Sequence, residues 1–278
     1  TFSFIRHYNL FIPFSLNLFS PKMLKIMPKL EWIHFGSVGV EKADSEDVKQ
    51  RNIKITNSIN IVEEAMTTSA IAAMTNLARG IFRADKLRLT KKLNRHSWDL
   101  AGEHIHDFFG GHVLIVGYGS VGRKLAKICK AFDMKVSAVN RSKVPDNNVN
   151  QFYNLNNVTS VLKDIDFVVN LLPLSNETKQ FFSEDFFREM KATSFFINIG
   201  RGETVVEEDL IFALNNKIIS AAALDVFFKE PLSLDSPLWD VDNVIITPHV
   251  AGYTNQFWPK QTNLFIKLLS NHLGNPIK

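Results

Sequence analysis

The chain predicts a doubly wound α/β fold built on a parallel sheet, and three features of the sequence carry that prediction. Residues 113–116, Val-Leu-Ile-Val, are an apolar, mostly β-branched run that reads as a strand buried on both faces. Gly117, Gly119 and Gly122 follow in GxGxxG spacing and open an amphipathic helix. From there to residue 247, strand-like and helix-like segments alternate, the pattern of parallel strands joined by right-handed crossovers.

Each glycine meets a physical demand. Gly117 permits the tight turn, Gly119 lets backbone approach a pyrophosphate, and Gly122 lets the helix pack on the strand. A diphosphate would sit at the helix N-terminus, beside Ser120 and Val121, where unpaired N–H groups and the helix dipole favour an anion. In the helix, Val121, Leu125, Ile128, Cys129 and Phe132 fall on one face, while Arg123, Lys124, Lys127 and Lys130 point outward. Cys129 is thus expected in the core, not as a reactive thiol.

With 278 residues, 45% of them hydrophobic and 22% charged, the chain has the composition of a globular protein and the length for two domains. The net charge of +4 is scattered along the sequence, which argues against nucleic acid as a partner and suits an anionic metabolite and cofactor. A single cysteine excludes an internal disulfide and fits a reducing, cytoplasmic setting. No His/Cys cluster has ligand spacing, so no metal is expected. The first twenty residues carry Phe2, Phe4, Phe11, Phe14 and Phe19 but are broken by Arg6, His7, Asn9, Pro13 and Asn17. They are too short and too interrupted for a membrane span and lack the parts of a signal peptide. They read as an atypical or incomplete N-terminus with no assigned element.

Residues 21–30 suggest a short helix, and Glu31 to Phe35 a strand. Gly36-Ser37-Val38-Gly39 is a turn able to offer N–H groups to an anion, or a plain connection. A polar helix at 44–51 is opened by Asp44 or Ser45, and Ile53 to Thr56 is a strand. Residues 61–82 read as one long, largely buried helix, followed by a looser segment containing Trp98. Beyond it the predicted strands are 113–116, 135–139, 151–153, 166–171, 194–199, 218–224 and 244–247. Helices are predicted at 120–132, 158–163, 183–190 and 206–215, the last with Glu207, Glu208 and Asp209 in its first turn, as the dipole prefers.

Ligands of such sheets bind beyond the C-terminal strand ends. After the second strand comes Asn140-Arg141-Ser142-Lys143, eighteen residues past Gly122, where an NAD site usually places a carboxylate for the ribose 2′-hydroxyl. Asn140 repels no phosphate, and Arg141 and Lys143 can bind one, which favours NADP over NAD. Leu172, Pro173 and Thr178 form a turn that can wall the cofactor. Arg201, set between Gly200 and Gly202, is suited to hold a carboxylate or carbonyl. Asp225, Glu230 and His249 follow the next strands, so Arg201, Glu230 and His249 can converge on one crevice.

These residues resemble the D-isomer-specific 2-hydroxyacid dehydrogenase family over residues 22–275. The matching stretches include Pro28 to Gly39, Val62-Glu63-Glu64, the glycine loop, Asn170-Leu171-Leu172-Pro173-Leu174 and Phe196 to Gly202. Leu224-Asp225-Val226-Phe227, Lys229-Glu230-Pro231-Leu232 and Thr247 to Gly252 complete them. Leu-Leu-Pro-Leu together with Val205 to Leu210 is most similar to the glyoxylate/hydroxypyruvate reductase branch, which often uses NADPH. The resemblance implies a Rossmann cofactor domain, here 60–252, inserted in a smaller flavodoxin-like substrate domain made of 1–59 and 253–278. It also implies a homodimer formed through the cofactor domain. Members carry more chain before the Trp32 strand, so the substrate domain is expected to be incomplete at its N-terminal side.

The chemistry implied is reduction of a small 2-keto acid to the D-2-hydroxy acid by hydride transfer from NAD(P)H. His249, paired with Glu230, is expected to be the proton donor, since histidine gives and regains a proton near neutrality. Arg201 and the N–H groups of Val38 and Gly39 are expected to hold the substrate carboxylate. The implied cofactor site takes in Ile199, Gly200, Asp225, His249 and Gly252 besides the glycine loop and Asn140, Arg141 and Ser142. The alternatives are an NAD-linked, phosphoglycerate dehydrogenase-like enzyme and a non-catalytic, dinucleotide-sensing protein like the family's corepressor branch.

Overall fold

The structure, a computed structural model, describes residues 3–5, 10–13, 20–36, 39–40, 46–92, 94, 105–141 and 145–274. The expectations for Asp44, Ser45, Ser37, Val38, Trp98, Ser142 and Lys143 lie outside the described residues. The chain divides into two compact units, Glu63–Gly252 and, separately, Thr1–Val62 with Tyr253–Lys278.

The larger unit holds a seven-stranded sheet, every neighbouring pair parallel. Its strands are β5 (His112–Val116), β6 (Lys135–Val139), β7 (Gln151–Tyr153), β8 (Phe167–Asn170), β9 (Phe195–Asn198), β10 (Ala221–Leu224) and β11 (Val244–Ile246). They run in the order β11-β10-β9-β8-β5-β6-β7, the doubly wound arrangement that the alternation predicts. The period-2 side-chain rule splits each strand between two cores. Leu114, Val116, Val168, Phe196, Ala222 and Leu224 join one, and Val113, Ile115, Phe167, Val169, Ile197 and Ala223 the other. Helix α4 (Ser120–Ala131) and helix α2 (Glu63–Arg79) pack on the second core. The first is covered by 3₁₀ turns at Val158–Asp164 and by helices α5 (Glu184–Arg188) and α6 (Glu207–Asn215).

Three details of this unit differ from the sequence reading. The segment 61–82 is not one helix: α2 stops before Gly80, whose φ of 62° is the left-handed conformation glycine adopts cheaply. A second helix, α3 (Ile81–Leu89), then begins and has no buried residue. The buried stripe of α4 is Gly122, Leu125, Ala126 and Cys129, so Ile128 is left exposed. Gly122 belongs to the buried face because the helix lies so near the strand turn there that a Cβ would stand 2.7 Å from Gly117 O. Cys129 lies fully in the core, and burial pushes its thiol up to about 12.

The smaller unit has a four-stranded sheet in the order β1-β2-β3-β4, from Ser3–Ile5, Leu10–Ile12, Trp32–Phe35 and Lys54–Asn57. β1 runs antiparallel to β2, and β2, β3 and β4 are parallel. The first two strands correct the reading of 1–20 as lacking elements: Leu10, Phe11 and Ile12 are buried, as a strand covered on both faces requires. A 3₁₀ helix at Pro21–Ile26, helix α1 (Glu46–Gln50) and helix α7 (Phe257–Leu273) complete the unit. Helix α7, not foreseen from the sequence, stacks Phe265 on Trp32 with ring centroids 6.0 Å apart. Among the described residues, no helix is long and apolar enough to cross a membrane.

His34 is buried in this sheet, with Nδ1 2.9 Å from Thr56 Oγ1 and its ring against Phe265. Burial lowers the imidazole to about 4, so folding favours the neutral ring. A base whose pKa falls on folding contributes full stability above its unfolded value, about 6.5, and loses it as pH drops towards 4. Urea unfolding at stepped pH should therefore show stability falling by roughly 2–3 kcal/mol across that window. His34→Asn should flatten the slope; an unchanged slope would assign it to other groups.

Candidate active site

The strand order reverses at β5, which puts the topological switch point, where such sheets bind ligands, at the C-terminal ends of β5 and β8. Gly117 has φ +108°, and a Cβ there would stand 2.8 Å from the Leu171 carbonyl carbon. The turn therefore depends on glycine both for its dihedral and for its contact with the segment after β8. A Cβ on Gly122 would lie 2.7 Å from Gly117 O, which ties the first turn of α4 to the strand end. At Gly119 the corresponding direction meets no atom within 4 Å. Open space thus faces a helix N-terminus whose first N–H groups, those of Ser120 and Val121 among them, have no partner within the helix. The residues present fit the diphosphate of a dinucleotide. Ser120 Oγ also donates to Glu63 Oε1 at 3.2 Å, which anchors the loop to the start of α2.

Beyond β6, the Asn140 side chain accepts from the Arg141 N–H at 3.0 Å, and the Asn140 backbone N–H donates to Tyr153 O. The Arg141 guanidinium is exposed and paired with Glu177, Nη2 to Oε2, at 3.1 Å. Tyr118, inside the glycine motif, donates its hydroxyl to Asp146 at 2.8 Å. In the turn after β8, the Leu172 N–H donates to Asn170 Oδ1, and Pro173 is exposed. Thr178 is buried, and its hydroxyl donates to Pro173 O at 2.7 Å and accepts from the Ser175 N–H at 2.8 Å. Its side chain is thereby engaged within the turn itself.

The ends of β8, β9, β10 and β11 are locked together by buried amides and one buried carboxylate. Asn170 Nδ2 donates to Asn198 Oδ1 at 2.9 Å and to Thr204 Oγ1 at 2.8 Å. Asn198 Oδ1 accepts from Gly200 N, and both Asn198 Nδ2 and Thr204 Oγ1 donate to Arg201 O. These bonds set the backbone of the Ile199-Gly200-Arg201 turn, and Arg201 Nη1 reaches Gly200 O at 2.8 Å. A Cβ on Gly200 would stand 2.9 Å from Leu172 O. One on Gly202 would be 1.9 Å from the carbonyl carbon and oxygen of Phe227. The arginine turn therefore lies directly on the loop after β10.

That loop carries Glu230. Its Oε1 accepts from the Phe227 N–H at 3.2 Å, and its Oε2 is 2.6 Å from His249 Nδ1. The adjacent Phe228 N–H donates to Glu207. The Glu207 carboxyl is raised chiefly by burial, and this hydrogen bond works against the rise. His249 is about half exposed and has φ 55°, a region in which histidine is more common than most side chains. Asp225 holds it there: its carboxylate accepts from Thr247 Oγ1, Val250 N and Ala251 N, and its backbone oxygen accepts from His249 N. Gly252 closes this loop at the edge of the larger unit.

Of the residues read from the sequence, the structure pairs Glu230 with His249 and sets Arg201 on the neighbouring turn. It gives Asp225 a set of bonds to the histidine loop. Gly39 lies in the smaller unit after β3, while Val38 and Ser142 are outside the described residues. Sequence reasoning did not single out Asn170, Asn198 and Thr204 for this role. The available signal was an asparagine ending each of two otherwise apolar strands, since a buried amide requires partners. Among the described residues, no group of three or more His, Cys, Asp or Glu could hold a metal.

A sequence model of the NAD binding domain of D-isomer specific 2-hydroxyacid dehydrogenases matches residues 71–251. The chain belongs to that family. It is 36% identical over 238 residues to a probable 2-ketogluconate reductase of Dictyostelium discoideum, covering 84% of this chain and 69% of the relative. It is 33% identical to glyoxylate/hydroxypyruvate reductase B of Klebsiella pneumoniae, covering 84% of this chain and 72% of the other. A solved structure from Thermus thermophilus superposes with a TM-score of 0.81 at 27% identity, over 92% of this chain and 81% of that one. The chain is thus an NAD(P)-dependent oxidoreductase of the 2-hydroxyacid dehydrogenase type, similar to the glyoxylate/hydroxypyruvate reductases.

Proposed function

We propose that this dehydrogenase reduces a small 2-keto acid, of the glyoxylate or hydroxypyruvate kind, to the D-2-hydroxy acid, with NADPH preferred to NADH. The observation that carries the reading is the 2.6 Å contact between His249 Nδ1 and Glu230, at strand ends next to the Arg201 turn. The reduced nicotinamide, when bound, supplies the hydride to the carbonyl carbon. Gly117, Gly119, Ser120, Val121 and Gly122 hold its diphosphate at the start of α4. His249 gives the proton from Nε2 to the carbonyl oxygen, completing the alcohol. Glu230 accepts from the other ring nitrogen, which fixes the tautomer and steadies the charged ring. Arg201 binds the substrate carboxylate through its planar fork and places the carbonyl beside the imidazole. Asp225 acts through the loop it holds, setting the direction of the imidazole.

Glyoxylate, hydroxypyruvate and 2-ketogluconate, each offered with NADPH and with NADH, provide the test. Turnover of the short acids, followed by loss of cofactor absorbance, is expected with NADPH in excess of NADH; no turnover of any would overturn the reading. 2-Ketogluconate belongs in the panel because the Dictyostelium relative bears that name. The cofactor preference rests on Asn140 and Arg141. Arg141→Ala removes charge-assisted hydrogen bonds worth about 1.5–3 kcal/mol, so NADPH should bind roughly 10–100-fold more weakly while NADH is nearly unaffected. Equal losses would remove the 2′-phosphate from this site.

A further inference from the structure

We propose that Glu177 is a cofactor-selectivity residue: a fixed anion that weakens binding of the 2′-phosphorylated dinucleotide at Arg141 and spares the unphosphorylated one. The proposal rests on Arg141 as the 2′-phosphate ligand. Arg141 follows β6 and Glu177 lies in the turn after β8, and their side chains meet at 3.1 Å across the C-terminal edge of the sheet. Both are largely exposed, so the pair contributes little to stability.

The backbone around Glu177 is tied down. The hydroxyl of its neighbour Thr178 is engaged within the turn, and Thr178 N and Lys179 N both donate to Ser175 O, at 3.2 and 2.9 Å. The carboxylate is therefore delivered to the guanidinium by a built turn.

A ribose 2′-phosphate carries about −1.5 to −2 charges near neutrality. When Arg141 takes it, two anions share one cation at a separation well inside the Debye length. The guanidinium has donors enough for both, but the mutual repulsion of the anions remains. A 2′-hydroxyl brings no charge, and a carboxylate near it is the usual partner in NAD sites. Glu177 thus limits the preference that Asn140 and Arg141 alone would confer.

Glu177→Gln keeps the shape and removes the charge. Titrating the full chain with NADPH and NADH by protein fluorescence should show NADPH binding about 3–10-fold tighter, with NADH changed by less than about 2-fold. The gain should shrink at high salt. Arg141→Ala is measured alongside. If that variant loses NADPH selectively while Glu177→Gln leaves NADPH unchanged or weaker, the role of Glu177 is refuted and that of Arg141 stands. If Arg141→Ala weakens both cofactors equally, both assignments fall together.

Discussion

His249→Gln is expected to lose about 10²–10⁴-fold in kcat while NADPH affinity stays within about 3-fold, the loss typical of removing a general acid. Gln can still place an amide near Glu230, so the hydrogen bond to the carboxylate survives in part. Its amide N–H is far too weak an acid to serve as the proton donor near neutrality. The backbone calls for a control, because residue 249 has φ 55° and glutamine is less at ease there than histidine. His249→Asn covers this point, since asparagine visits the left-handed region readily. Both variants should bind cofactor, melt near the parent temperature and turn over at least about 10²-fold more slowly. Turnover within about 10-fold of the parent in either one would remove His249 as proton donor.

Gly202→Ala carries the second large effect. A methyl group there would sit 1.9 Å from the Phe227 carbonyl carbon and oxygen, far inside van der Waals contact. The obstacle is backbone, so no side-chain rotation relieves it. One or both loops must move by an ångström or more. Arg201 is the preceding residue, and the Phe227 N–H is the donor that holds Glu230. A displacement of that size at a reacting centre costs about 10²-fold, and kcat/KM should fall at least that far. Overpacking should also destabilise the fold by about 1–3 kcal/mol. Gly119→Ala supplies the contrast, since no atom lies within 4 Å of its Cβ position. That variant should keep the parent melting temperature and weaken NADPH. If Gly202→Ala instead retains full kcat/KM, the contact between the two loops plays no part in placing the site.

Several features are legible in the residues before any folding: the parallel sheet, the glycine loop with its helix, and the order in which Arg201, Glu230 and His249 follow successive strands. These are local properties. Strand and helix periodicity, glycine sterics and the polar residue ending an apolar run are all written within a few positions. The second sheet was legible only in β3 and its edge neighbour β4. Ser3–Ile5 and Leu10–Ile12, the latter an apolar run closed in by Asn9 and Pro13, are too short to declare themselves, and become strands because β2 pairs with β3 and is buried there. Similarly, the end of α2 before Gly80 escaped the pattern because apolar residues continue on both sides of it.

How the site is held together is a matter of long-range packing. Asp225 reaches Thr247, Val250 and Ala251, and Asn170 reaches Asn198 and Thr204, bonds that span more than twenty positions. Gly202 has no room for a side chain only because Phe227 lies against it, and Arg141 meets Glu177 across 36 residues. Each pairing is created when strands distant in the chain come to lie side by side. A residue's own neighbourhood can signal that a partner is needed, as the strand-ending asparagines do, but not which partner, so only packing of the whole sheet specifies where these groups meet.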